Sequence, residues 1–253
     1  MDIKDFFPLV RGMTVAFVGG GGKTSLIFAM ASQLADGGNR VLVTTTTAIF
    51  HPDRDGWPHD LLVLGDQIFH CTPTPGQIVV GARAYDPGSQ KLKGYSSEIS
   101  SEILARVREK KVFDYILVEA DGSRMLPVKA PADHEPVIPG GTDMVIGCIG
   151  LDCLGRPMDD ETVHRPERFG AITGQNFGDP ILADHLVKLA VSNLGLFKNA
   201  GNHMKKILVF NKADTKELVD QGQALAAMVL NGCPGVDHCW VACLLNPADP
   251  VIF

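Results

Sequence analysis

The sequence predicts an α/β fold: a doubly wound, mostly parallel sheet with helices on both faces and a small insertion at the sheet edge. Three observations predict it. Short, continuously apolar runs alternate with segments of helical periodicity. A glycine-rich turn joins the first such run to the first such helix. The chain has 253 residues, 45% hydrophobic and 21% charged, enough for one sizeable core.

Residues 13–18 form a β-rich run. Residues 24–35 follow with helical spacing, Leu26, Ile27, Met30, Ala31 and Leu34 falling on one face, and Gly37-Gly38 stops that helix. Residues 40–45, 115–119, 143–149 and 206–211 are the further strands. They are apolar throughout, as strands of a parallel sheet covered on both faces are. Residues 99–107, 181–194 and 217–230 read as the intervening helices. Residues 51–95, with Pro52, Pro58, Pro73, Pro75 and Pro87, read as loops and a small antiparallel piece at the sheet edge. A second proline-rich stretch covers 127–139. Neither has linker composition and no repeat is present, so 1–253 is expected to be a single domain.

The net charge of −6 and the short basic runs argue against nucleic acid as the partner. No apolar run approaches the roughly 20 residues that span a bilayer. Met1-Asp2-Ile3-Lys4-Asp5 lacks the pattern of a signal peptide, so a cytoplasmic location with reduced cysteines is expected. The cysteines lack twice-paired zinc spacing. Cys239 and Cys243, four apart in a strand-like run, are expected to be structural.

The sharpest motif is Gly19-Gly20-Gly21-Gly22-Lys23-Thr24-Ser25, after a strand and opening a helix. Glycines let the backbone turn tightly and aim N–H groups at an anion, and the helix N-terminus adds partial positive charge. Lys23 would reach the outer phosphates of a nucleoside triphosphate and the Thr24 hydroxyl would ligate Mg²⁺. The class is therefore P-loop NTPase-like. The full pattern G-x-x-x-x-G-K-[ST] is not met, because Phe17 occupies its first glycine position. The shorter G-x-x-G-K-T resembles the loop of Mur-type ATP-dependent amide ligases. It also resembles that of dimeric metal-insertion ATPases, whose extra signature lysine would fall on Val18.

A Mg-nucleotide site needs a carboxylate at the end of an apolar strand. Glu119 and Asp121, in Tyr115-Ile116-Leu117-Val118-Glu119-Ala120-Asp121-Gly122, are the candidates. Either can hold the metal's shell while the other orients the attacking water. Thr44-Thr45-Thr46-Thr47 either touch phosphate or Mg²⁺ or are simply good strand residues. The run Ile207-Leu208-Val209-Phe210-Asn211-Lys212-Ala213-Asp214 places Asn-Lys-x-Asp after a strand, resembling the guanine-reading motif of GTPases. A carboxylate at Asp214 would accept from guanine's ring N–H and amino group, a pair adenine does not offer. Asn211 would brace the loop and the Lys212 stem would lie along the base. The competing reading is a turn in which Asp214 or Thr215 caps the next helix.

Taken with Val118-Glu119-Ala120-Asp121-Gly122-Ser123, Lys129-Ala130-Pro131, His134-Glu135-Pro136 and Val163-His164-Arg165-Pro166-Glu167, these strings resemble the YqeC-like accessory proteins of selenium-dependent molybdenum hydroxylases. The resemblance covers most of the chain, from Phe17 to Asp214. It implies a bacterial protein that helps mature or insert a molybdenum–selenium cofactor, with a molybdenum-cofactor enzyme or another maturation protein as partner. Arg165 would steady transferring phosphate charge, or else form a loop salt bridge with Glu167 or Asp160. His164 would handle a proton or a soft ligand. Lys129, His134 and Glu135 are open in the same way.

Three functions follow as expectations. The first is a Mg²⁺-dependent NTPase, GTP favoured over ATP, with Lys23, Glu119, Asp121 and Arg165 carrying catalysis. The second is an ATP-dependent ligase or transferase acting on a small acid. The third is a non-hydrolysing nucleotide or cofactor carrier.

Overall fold

The structure is a computed structural model and describes residues 5–232, 235–244 and the backbone of 251–252. The expectation about the first residues falls mainly on Met1–Lys4, outside them. The α/β class and a mostly parallel central sheet with helices are as the sequence predicts. The chain divides into two compact units. One takes Met1–Phe17, Thr24–Ala120 and Val137–Met144; the other takes Val18–Lys23, Asp121–Pro136 and Val145–Phe253.

The first unit contains β1 (Thr14–Gly19, entering the second unit at its last two residues), α1 (Lys23–Asp36), β2 (Val41–Thr45), β3 (Ala48–Phe50), α2 (Pro52–Asp55), β4 (Leu61–Leu64), β5 (Ile78–Ala82), β6 (Ala84–Asp86), β7 (Lys91–Lys93), α3 (Ser97–Glu109) and β8 (Tyr115–Glu119). Its sheet runs β1-β8-β2-β5-β4, every pairing parallel. β8 lies between β1 and β2, which puts Glu119 beside Phe17 and Thr45 at the strands' C-terminal ends. That edge is where ligands bind in open α/β sheets.

β1, β2, β5 and β8 are buried along their whole length, which is why their sequences show no alternation. α3 lays Ile103, Leu104 and Val107 on Leu42, Val79, Ile116 and Val118. It starts at Ser96, whose hydroxyl accepts the Ile99 N–H. α1 is buried beyond its predicted face. Phe28 is also covered, its ring stacked on Trp57 at 5.3 Å between centroids. Helix α1 ends as the glycines require: Gly38 sits at φ +78° and Asn39 N–H returns to Leu34 O at 3.1 Å.

The reading of 51–95 needs correction. β4 and β5 are parallel members of the main sheet, not loop or antiparallel edge. The prolines that suggested loops lie outside both strands. An antiparallel piece is present, ordered β3-β7-β6.

The second unit contains β9 (Val128–Lys129), β10 (Met144–Gly150, its first residue in the first unit), β11 (Val163–His164), α4 (Pro166–Thr173), α5 (Ala183–Val191), β12 (Lys205–Asn211), α6 (Lys216–Gly232), β13 (His238–Cys243) and β14 (Val251–Ile252). Its strands run β10-β12-β13-β14, with β12 and β13 parallel and β14 antiparallel to β13. β9 and β11 form a separate parallel pair that joins the proline-rich stretch to the His164 strand. Thr215 caps α6 by accepting the Leu218 N–H at 3.2 Å. The cysteines of β13 are free thiols, and burial pushes Cys239 up to about 12. Among the described residues no helix is long and apolar enough to cross a membrane.

Candidate functional site

The glycine-rich turn leaves β1 and enters α1, and its residues Val18–Lys23 belong to the second unit. Three of its N–H groups are fixed by the surrounding chain. Gly19 N donates to Asp121 Oδ2 at 3.1 Å, Gly20 N to Cys148 O at 2.9 Å, and Gly21 N to Leu126 O at 3.0 Å. Gly21 and Gly22 have φ of +65° and +105°, conformations that favour glycine. Neither has room for a side chain. A Cβ on Gly21 would run into Gly150 N, and one on Gly22 into the Asn211 amide.

Lys23 is buried, 3% exposed, and curls back over the loop. Its Nζ donates to Gly19 O at 2.6 Å and lies 3.4 Å from Ser123 Oγ. Asp121 and Lys129 extend the arrangement. Lys129, whose side chain is wholly buried, pairs with Asp121 Oδ1, donates to Gly122 O at 2.7 Å and pairs with Glu135 Oε2 at 2.9 Å. Arg165 closes the row on Glu135, Nη1 to Oε2 at 2.5 Å and Nη2 to Oε1 at 3.1 Å. A row of alternating charges therefore runs Asp121, Lys129, Glu135, Arg165, and its first member grips the loop.

Burial pushes the Asp121 carboxyl up, while Lys129 and Lys23 pull it down; burial is the larger effect. Burial alone would raise Glu135 as well. The Ala132 N–H, Lys129 and Arg165 together overcome that and hold Glu135 at about 2. His164 is lowered to about 4, chiefly by burial and then by Arg165, Lys129 and Arg124, so it is uncharged at neutral pH.

In the first unit, Thr24 Oγ1 donates to Glu119 Oε2 at 2.9 Å, and Glu119 is buried. A hydroxyl and a carboxylate in hydrogen-bond contact are oxygen donors of the kind Mg²⁺ takes. Ser25, in the first turn of α1, is half-buried. The hydroxyls of the four threonines at the end of β2 and just beyond it are all engaged by protein groups. Thr44 donates to Gly81 O, Thr45 to Glu119 O and Thr46 to Val137 O, while Thr47 Oγ1 sits 3.2 Å from Thr45 Oγ1.

At the end of β12, Asn211 Nδ2 donates to Gly21 O at 2.7 Å, tying this turn to the phosphate loop. Asn211 Oδ1 is buried without a hydrogen-bond partner among the described residues. Lys212, at φ +65°, reaches Asp152 Oδ2 at 2.7 Å. Asp214 is exposed and leaves the capping of α6 to Thr215.

Two expectations around Arg165 are corrected. Its partner is Glu135, thirty residues away, not Glu167 or Asp160. It stands at a strand-to-helix turn, φ +71° between β11 and α4, rather than in a polar loop. Sequence reasoning gave Lys129 and Glu135 no definite role. The signal available was a lysine inside the apolar Val128-Lys129-Ala130, a residue that is buried only when paired.

The family model described as YqeC protein matches residues 15–167. A protein of Escherichia coli (strain K12) named Uncharacterized protein YqeC is 35% identical over 202 residues, covering 80% of this chain and 77% of that protein.

Proposed function

The chain belongs to the YqeC protein family, and we propose that it binds a nucleoside triphosphate with Mg²⁺ on the loop from Gly19 to Ser25 and hydrolyses it, with GTP preferred. The observation that carries this reading is the geometry of Lys23. A buried ammonium rests on the carbonyl of the loop's first glycine at 2.6 Å, and its hydrogen-bond partners among the described residues are neutral oxygens. A cation so placed is available to phosphate oxygens without breaking an ion pair.

The residues divide the work. Lys23 takes the outer phosphates. Thr24 and Glu119 would hold Mg²⁺, which when bound neutralises charge on the phosphates. Of the two carboxylates, Glu119 suits the metal's shell. Asp121 has one oxygen on Lys129 and the other on the Gly19 N–H, so it acts as the brace that fixes the loop. Arg165 is committed through Nη1 and Nη2 to Glu135, so any part it takes in phosphate transfer falls to its remaining N–H groups.

The guanine preference is supported by the turn after β12. Asn211 binds the loop, and the exposed Asp214 carboxylate makes no hydrogen bond or ion pair among the described residues. Asp214→Asn tests it. Asparagine presents an amide where the carboxylate accepted two hydrogen bonds, so preference should move from guanine toward xanthine, whose carbonyl replaces guanine's amino group. A loss of GTP affinity of about tenfold or more is expected, with a gain for the xanthine nucleotide. An unchanged ratio between GTP, ATP and the xanthine nucleotide in competitive titrations would refute the base assignment.

The motif resemblance to accessory proteins of selenium-dependent molybdenum hydroxylases supports placing this hydrolysis in the maturation or insertion of a molybdenum/selenium cofactor. An apo-hydroxylase or a maturation protein is then the partner that accelerates turnover. The second reading, an ATP-dependent ligase or transferase acting on a small acid, is favoured by the short G-x-x-G-K-T form of the loop.

A further inference from the structure

Within the second unit lies a polar cavity of about 230 Å³, lined by Arg124, Asp160, His164, Arg165 and Glu167 with two apolar side chains at its wall. One of these, Leu126, supplies the carbonyl that accepts the Gly21 N–H, so the cavity adjoins the phosphate loop. The volume suits a small ligand of roughly eight non-hydrogen atoms.

Its lining carries both signs of charge. Arg124 is exposed and makes no hydrogen bond or ion pair among the described residues. It is held at φ +53° in Gly122-Ser123-Arg124-Met125, next to a second positive-φ residue, Met125. Arg165 is fixed by its two bonds to Glu135 and keeps its remaining N–H groups. The His164 ring, buried at the end of β11, makes no hydrogen bond among the described residues. Asp160 and Glu167 are exposed carboxylates without a hydrogen bond or ion pair among the described residues.

A bare anion would meet Arg124 but would also be repelled by Asp160 and Glu167. A bare cation would meet the reverse. A molecule carrying both charges satisfies the lining, and the uncharged imidazole adds a hydrogen bond to it without adding charge.

We propose that this cavity is a binding site, separate from the phosphate loop, for a small zwitterion of the amino-acid class. The carboxylate is taken by Arg124 beside His164 and Arg165, and the ammonium by Asp160 and Glu167. The proposal does not rest on what the phosphate loop binds.

The experiment is a histidine-labelled NMR titration of the full chain, with the His164 signal assigned through His164→Gln. The probes are the common amino acids, with acetate, methylammonium and inorganic phosphate as single-charge fragments. At least one amino acid should shift the His164 signal saturably, and each fragment should bind about tenfold or more weakly. Arg124→Ala, at an exposed position that leaves the fold intact, should weaken the amino acid by about tenfold. Glu167→Gln should weaken it too, and Lys23→Ala should leave it unchanged. The proposal is overturned if no zwitterion saturates the signal, or if phosphate or acetate binds as well as any amino acid. It is equally overturned if Arg124→Ala has no effect, or if Lys23→Ala abolishes the response and so places the ligand on the phosphate loop.

Discussion

Lys23→Ala is expected to reduce Mg-nucleotide affinity by about a hundredfold or more, because a charge-assisted contact to phosphate in a buried site has no substitute. The fold should survive. Among the described residues Lys23 donates to Gly19 O and approaches Ser123 Oγ, both neutral, and Asp121, which also feels the Lys23 charge, keeps Lys129 as its ion-pair partner. Calorimetry of the variant with the triphosphate and Mg²⁺ checks this, with circular dichroism confirming that the chain is folded. Affinity within threefold of wild type, on a folded variant, would remove Lys23 from the site.

Lys129→Met is expected to have the largest effect on stability. The lysine lies between Asp121 and Glu135 with its side chain wholly buried, so the substitution leaves two carboxylates close together without their shared cation. Breaking such a pair costs about 3–5 kcal/mol. Urea denaturation measures it. The triple variant Asp121→Asn, Lys129→Met, Glu135→Gln should recover part of the loss, since its buried groups are neutral. A loss below about 1 kcal/mol would mean that the row of charges is effectively solvated.

The pH dependence has a definite sign. Glu135 titrates at about 2 when folded, below its unfolded value, so its contribution is present above the unfolded value and is lost as pH falls toward 2. Removing Lys129 should make that acid limb shallower.

Both predictions depend on the two parts of the site that differ most in how sequence encodes them. Lys23, Thr24 and the glycines are consecutive, and the strand and helix around them have strong patterns, so the loop is legible in one reading. Glu119 is legible because it ends a fully apolar run, and burial along the whole of β8 accounts for that run. The row from Asp121 to Arg165 has no such signature. Its members are joined by pairs eight, six and thirty residues apart, set by the return of the chain through β9 and β11. Arg165 has acidic neighbours in sequence at Asp160 and Glu167, and those suggested the wrong partner.

The same physics explains β4 and β5. β5 is buried throughout and so carries no alternation, β4 is a partly exposed run of leucines and valine, and the two are only five and four residues long. Between flanking prolines, nothing local distinguishes them from loop. Phe28 lies off the predicted face of α1 because periodicity sees one covering layer, whereas Trp57 supplies a second from a distant segment.

The central claim is that the loop holds a Mg-nucleotide and the turn after β12 reads its base. The most direct measurement is a competitive equilibrium titration of the purified chain with GTP and ATP in the presence of Mg²⁺. The account predicts saturable binding of both, GTP tighter by about tenfold or more, and both lost in Lys23→Ala. Saturable binding of neither nucleotide would contradict the site itself. Binding in which ATP is preferred would leave the loop standing and contradict the base reading at Asp214.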